Sequence, residues 1–361
     1  MKVLVLVQAY PNGNKKDLMY VHTRNLFYQK NGIDVTVMNF SASSSYRYES
    51  IRVISEKEFV SHPEQYDTFI VHAANVRNHY RFLKKWERFC SKIVFFFHGH
   101  EILRLSEEYP KDYDYIQSPS RLHILKQDLY DSFKFQVFRK YYRSVAEKSM
   151  FIFVSEWMRK KFFQYLCLNS TDIMNHDVVI SNSVGEIFEE ESYLGRKEAA
   201  EYDFVTIRGN IDGSKYCVDL VNGFAKKYPE YRFLLVGNGK FFDYHEKASN
   251  LTWINAQLGH EEIPSVLNNS RCALMLTRTD AQGVMACEMA TYGIPTIVSD
   301  IEICRDVFSC YTNVSFLKND IHADLKQTYN NLLTSKDLHE DYRHYLREDT
   351  LDCEVKLIKS L

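Results

Sequence analysis

Nowhere in its 361 residues does this sequence hold a run of about 18 apolar residues, so no segment is long enough to be read as a membrane-spanning helix. No charged leader, apolar h-region or cleavage site precedes the first strand at Lys2. The eight cysteines, at 90, 167, 217, 272, 287, 304, 310 and 353, include no Cys-x-x-Cys pair, which argues against a structural zinc site or a redox dithiol. Small core residues in a reducing cytoplasm are the simpler reading. Low-complexity stretches and repeats of solenoid period are absent, which removes disorder and repeat architectures. No strand leads into a Gly-x-Gly-x-x-Gly turn with an acidic residue about 20 positions later, which disfavours a nicotinamide-dependent dehydrogenase. A large charge of one sign is missing too: the formal net charge of −2 disfavours nucleic-acid binding.

The charge that is present is unevenly spread. From 76 to 162, eighteen Lys and Arg face ten Asp and Glu, a balance of +8 that leaves −10 for the rest. An anionic partner suits that stretch. Hydrophobic residues at 45% and charged residues at 25% lie in the globular range, and the length predicts two domains at roughly 150 residues each.

Apolar runs alternate with helical or polar segments: KVLVLV, IDVTVMNF, TFIVHA, KIVFFFH, MFIFVS and DVVISN. That alternation predicts a parallel sheet covered on both faces. The pattern restarts after the acidic, turn-like stretch 185–201, the best interdomain linker, with DFVTI, YRFLLVG, LTWIN, CALMLT and PTIVSD. Two doubly wound domains in tandem follow. The final segment reads as one or two helices with Leu351, Val355 and Ile358 on one face.

In such sheets ligands bind beyond the carboxyl ends of strands. After DFVTI comes RGNIDGSK, leading into a helix stopped by Pro229. Lys215 in the first turn of that helix opposes the dipole unless an anion lies between, and Arg208 with Lys215 would clamp a diphosphate. A solvated surface pair is the alternative. After CALMLT come RTDAQ and the helix GVMACEMATY, apolar on nearly every face except Glu288. A carboxylate buried there needs donors, which ribose hydroxyls would supply, or else a structural partner such as Arg305. Asp280 precedes the helix, and Gly283, beside Gln282 and Val284, removes a side chain where backbone N–H groups could approach a ligand.

FFFHGHE ends a strand in His98, His100 and Glu101, which suggests sugar or phosphate contact; a metal pair lacks an obvious third ligand. Asn12 and Gly13 in the first loop, and Gly237 in VGNGK, are turn residues first and phosphate or nucleotide contacts second. Asp112-Tyr113-Asp114 spells the Asp-x-Asp of metal-dependent transferases, but no apolar strand precedes it.

Together these residues resemble the family 4 glycosyltransferases of the GT-B fold, over nearly the whole chain. YVHTRNLFYQKNGIDVTV, FFFHGHE, FVSEWMRKKF, VVISNSV, RGNIDGSK and LGHEEIPSVLNNS each look like a family segment, the last one lying beside the nucleotide base at Ile263. The most specific is DAQGVMACE, an acidic-x7-acidic motif followed by a Gly-x-Pro strand. Family members usually carry Glu where this chain has Asp280, one methylene shorter, and paired glycines where it has Asn12-Gly13.

The resemblance implies two Rossmann-like parallel-sheet domains facing a central cleft: an acceptor domain over 1–185, a donor domain over 186–340, and a C-terminal helix within 341–361 packing back on the first domain. It implies that Arg208 and Lys215 bind the donor diphosphate, Glu288 the ribose and Asp280 the sugar hydroxyls, with His98 beside the reacting sugar face. The reaction it implies is metal-free, retaining transfer of a sugar from a nucleotide-diphosphate sugar, UDP-sugar favoured and GDP-sugar next, to a glycan or lipid-linked acceptor in surface-polysaccharide synthesis. The bases and aromatics of FRKYYRSV and WMRKKFF suggest peripheral binding to the anionic inner face of a membrane, with solvated helix faces as the alternative. A nucleotide-sugar epimerase of the same fold and a non-catalytic nucleotide-sugar-binding protein are the rival readings.

Overall fold

A computed structural model describes residues 1–13, 18–117, 120–195, 200–335 and 340–361. Part of the first loop (14–17) and part of the expected linker (196–199) lie outside the described residues.

The apolar runs form strands because both their faces are covered. The first sheet comprises β1 (Lys2–Val7), β2 (Asp34–Asn39), β3 (Tyr46–Tyr48), β4 (Ile51–Ser55), β5 (Tyr66–His72), β6 (Cys90–Phe97), β7 (Ser149–Phe153) and β8 (Asp177–Val179), in the order β3-β4-β2-β1-β5-β6-β7-β8. All its ladders are parallel except β3 on β4. Val3 to Val7 and Ile93 to Phe97 are buried throughout, as continuous apolar runs in a covered parallel sheet must be. The second sheet comprises β9 (Tyr202–Asn210), β10 (Phe233–Asn238), β11 (Leu251–Ile254), β12 (Ser270–Met275), β13 (Thr296–Ser299) and β14 (Val314–Leu317), in the parallel order β11-β10-β9-β12-β13-β14. In each sheet the strand order reverses beside the first strand, between β1 and β5 and between β9 and β12. Those are the switch points where a doubly wound sheet opens a crevice.

Two compact units carry these sheets, and neither is a single stretch of chain. The first is Met1–Leu105, Leu125–Ser181 and Thr350–Leu361; the second is Ser106–Ile124 and Asn182–Asp349. The boundaries therefore differ from three consecutive blocks. Segment 106–124 joins the second unit because Tyr113 and Tyr115 pack on its core and donate to Asp219 (2.9 Å) and Asp212 (2.6 Å). The stretch expected as a free linker also belongs there: Phe188 is buried, and Arg347 pairs with Glu186 and Glu189. The helix Leu351–Ser360 lies in the first unit, with Leu351, Val355 and Ile358 buried. Its Glu354 receives Arg24 Nε at 3.1 Å and the Tyr28 hydroxyl at 2.6 Å, all three side chains buried.

Candidate functional site

In the second unit the carboxyl ends of β9 and β12 bring two loops together. Arg208, near the end of β9, is only 8% exposed. Its Nη2 donates to the Leu276 carbonyl at 2.7 Å, while Nε, also buried, has no partner among the described residues. Burial pulls its pKa down and the charge of Asp280 pushes it back up. A guanidinium held out of water with a donor unmet is a site prepared for an anion.

Lys215 is not in the first turn of the following helix. It sits in a separate 3-10 turn, Ser214–Tyr216; Cys217 is left-handed (φ 55°), and the helix runs Val218–Lys227. The dipole argument for Lys215 therefore fails, and a different device gathers the cations. Both lie over the ring of Tyr216, with Arg208 Cζ 5.0 Å and Lys215 Nζ 4.7 Å from its centroid. The Lys215 carbonyl accepts from Arg278 N at 2.8 Å and Thr277 Oγ1 at 3.0 Å. Arg278 then grips Asp219 with two bonds of 2.6 and 3.0 Å. The Lys215 turn is so tied to the exit of β12.

That exit continues to Asp280, whose Oδ1 accepts from Ala281 N at 2.8 Å. Gly283 then starts the helix Val284–Tyr292 from a left-handed conformation, φ +79°, in which a Cβ would be strained. Val284 is its first residue. Gln282 is buried, and its amide is occupied: Oε1 accepts from Asn182 N and Nδ2, both at 2.7 Å, and Nε2 donates to Asn182 O at 3.0 Å.

Glu288 is 3% exposed on this helix. Arg305 does not pair with it: Arg305 binds Asp300 at 2.8 Å. Glu288 instead accepts the Gly185 N–H at 3.1 Å, and burial pushes its carboxyl up to about 8 against that bond. A Cβ on Gly185 would fall 3.1 Å from His260 Nδ1 and 3.2 Å from Glu288 Oε1, so His260 shares this pocket. Ile263, buried, begins the adjoining helix Ile263–Asn268. Gly237 has a structural reason for being glycine, since a Cβ there would lie 2.4 Å from the Arg208 carbonyl oxygen.

The other expected residues lie in the first unit. Asn12 and Gly13 are exposed. His98 follows β6; its Nε2 lies 2.9 Å from Nδ1 of buried His72, and its backbone N–H donates to Glu101. His72, Arg24, Tyr216, Arg278 and His260 were not visible as site residues in the sequence. Only the fold brings them beside the expected residues, although an aromatic directly after Lys215 was a usable signal.

Asp112-Tyr113-Asp114 is engaged in packing: Tyr113 donates to Asp219, and Asp114 lies 3.4 Å from His245. The aromatics of FRKYYRSV and WMRKKFF are mostly core, with Phe138, Tyr141, Tyr142, Trp157 and Phe162 buried. An apolar face appears elsewhere, on the first half of the helix Arg121–Val145. Leu122, Leu125, Leu129 (71% exposed) and Phe133 recur there at helical spacing. Lys126 and Lys140 share that face and no acid does, Asp128 and Asp131 lying off it. No helix among the described residues is long and apolar enough to cross a membrane.

Residues 196–349 match the family model described as glycosyl transferases group 1. No curated protein matches the chain. Among solved structures, the sucrose-phosphate synthase of Thermosynechococcus elongatus aligns with 99% of this chain and 97% of its own at 13% identity and a TM-score of 0.68. HepE of Anabaena, in complex with UDP and glucose, aligns over 100% and 98% at 12% identity and a TM-score of 0.64. WaaG, a glycosyltransferase involved in lipopolysaccharide biosynthesis, aligns over 100% of both at 13% identity and a TM-score of 0.61. The chain thus has the GT-B fold of two parallel-sheet α/β units, and its residues 196–349 are similar to the glycosyl transferases group 1 family.

Proposed function

We propose that this protein is a retaining glycosyltransferase that moves a sugar from a nucleotide-diphosphate sugar to a hydroxyl of a glycan or lipid-linked acceptor. One observation carries the reading: Arg208, buried with an unmet donor among the described residues, and Lys215 both lie within 5.0 Å of the Tyr216 ring centroid at the switch point of the second sheet, with Asp280 on the neighbouring loop. The two cations would hold the diphosphate and stabilise the charge that develops on it as the sugar departs. Glu288 would accept from ribose hydroxyls, as burial with one backbone donor among the described residues leaves it short of partners. Asp280 would read the sugar hydroxyls and His98 would contact the reacting sugar, both roles carried by family resemblance. The departing diphosphate would help to take the acceptor proton, so the cationic pair does the work a metal would otherwise do.

UDP is the favoured nucleotide and GDP the next; UDP is the nucleotide bound to HepE, and WaaG supports an acceptor in surface-polysaccharide synthesis. The apolar, basic face of the helix Arg121–Val145 supports a cytoplasmic protein resting on an anionic membrane that carries such an acceptor.

A thermal-shift panel of UDP- and GDP-sugars identifies the donor, and nucleotide release is then followed with and without candidate glycan acceptors. Release that depends on acceptor, yielding a product with the donor's anomeric configuration, is the expected outcome. An altered free sugar or nucleotide sugar made without acceptor identifies an epimerase. Binding with no turnover under any acceptor favours the non-catalytic reading.

A further inference from the structure

One strand beyond the switch point of the first sheet, the carboxyl ends of the paired strands β5 and β6 place His72 beside His98. Their rings are nearly parallel, 23° apart with centroids 5.2 Å apart, and His72 Nδ1 meets His98 Nε2 at 2.9 Å. His72 is 1% exposed and stacks on Phe96 at 4.7 Å, while His98 is partly exposed and meets the edge of Tyr20 at 4.9 Å. The remaining nitrogen of His72, Nε2, is buried with no hydrogen-bond partner among the described residues.

A hydrogen bond between two neutral imidazoles holds one proton, and it can be arranged in two ways. If His98 Nε2–H donates, His72 must carry its own proton on Nε2, as a buried N–H with no acceptor. If His72 Nδ1–H donates, Nε2 of His72 is a bare lone pair. Buried N–H groups without partners are the rarer and costlier defect. The surrounding charge keeps both rings neutral, so that only these two arrangements compete. Arg24, on the helix Met19–Lys30, is paired with Glu354 and lies over Phe96, and its field disfavours protonation of both rings. Burial acts likewise and more strongly, with His79 adding to it at His72 and His100 at His98. Glu101 and Tyr20 are the other ionisable groups at this end of the sheet, and Glu101 is committed to the backbone N–H of His98.

We infer that His72 is a positioning residue: its Nδ1–H donates to His98 Nε2 and fixes His98 as the tautomer that presents a donor, Nδ1–H, rather than a base, on its other side. Nδ1 of His98 has no partner among the described residues. In sugar transfer His98 would then donate to a sugar oxygen and would not abstract the acceptor proton. That consequence rests on the proposed function; the tautomer does not.

The experiment is a long-range 1H–15N correlation spectrum of the full chain carrying 15N-histidine, without substrate, with His98 identified by its loss in His98→Gln. Expected is a protonated, pyrrole-like Nδ1 and a pyridine-like Nε2 on both His98 and His72. A pyrrole-like Nε2 on His98 overturns the inference. In His72→Leu, His98 should revert to the Nε2–H form that free histidine prefers, and an unchanged His98 overturns it too. His72→Gln, whose amide can still donate, should keep Nδ1–H and covers the case in which the leucine variant does not fold; loss of Nδ1–H there also counts against the inference. Where transfer is measured, kcat should fall about tenfold in His72→Leu and recover to within about threefold in His72→Gln. Unchanged turnover in His72→Leu overturns the positioning role.

Discussion

Glu288 weakens the fold in which it stands. Its carboxyl titrates near 8 in the folded chain against an ordinary value of 4.5, so the folded state binds the proton more tightly than the unfolded state. Stability from this group is full below pH 4.5 and declines as pH rises towards 8. Glu288→Gln, which keeps an oxygen for the Gly185 N–H, should match the wild type near pH 4.5 and exceed it by a few kcal/mol above pH 8, as read by denaturant melts at both ends. The same variant should lose donor affinity. Because ribose hydroxyls favour the ionised form, donor binding at pH 7 should release close to one proton, which calorimetry in buffers of different ionisation enthalpy detects. Arg208→Met should weaken nucleotide-diphosphate binding by roughly ten- to a hundredfold, as loss of charged hydrogen bonds implies. The isolation of Glu288 on an apolar helix was legible in the sequence. The grip of Arg278 on Asp219 was not, since the two are far apart in the chain and meet only where β12 passes beside β9.

Elements were legible where their apolar runs are long. All six strands expected in the first sheet form, but the β3–β4 hairpin was missed because YRY and IRVIS alternate with exposed residues and resemble loop. β14 was missed as a run of only four residues, VSFL. The turn at Lys215 looked like the start of a helix because nothing in SKYCVDL announces that Cys217 turns left-handed. The helix Arg121–Val145 shows the same limit. Its aromatic-basic half looked like a surface in sequence yet faces the core, while the leucines of the other half, read alone, suggest burial and are exposed. Replacing Leu125, Leu129 and Phe133 together by serine should abolish sedimentation with anionic liposomes at low salt while leaving the melting temperature within a few degrees, because none of the three is buried. Undiminished sedimentation would remove that face from the proposal.

At the scale of the molecule, the chain leaves its first unit twice and returns twice, once at Leu125 and again at Thr350. The alternation of strands and helices made two doubly wound units legible. It could not reveal that 106–124 joins the second, which depends on where Tyr113 and Tyr115 find partners. The last return closes on a buried ion pair, Arg24 with Glu354, whose partners lie far apart in sequence. Removing Glu354 takes the counter-charge away from a buried guanidinium, so Glu354→Leu should cost about 3 to 5 kcal/mol in urea melts, and Arg24→Met in the same chain should recover most of it. The pair also sets an order of events during synthesis. Arg24 is made early, but its counter-charge and the helix that covers Tyr28 arrive only with residues 350–361, after the entire second unit. The first unit is therefore completed only after the second has been made, and Arg24 waits for its counter-charge for the duration of the second unit's translation.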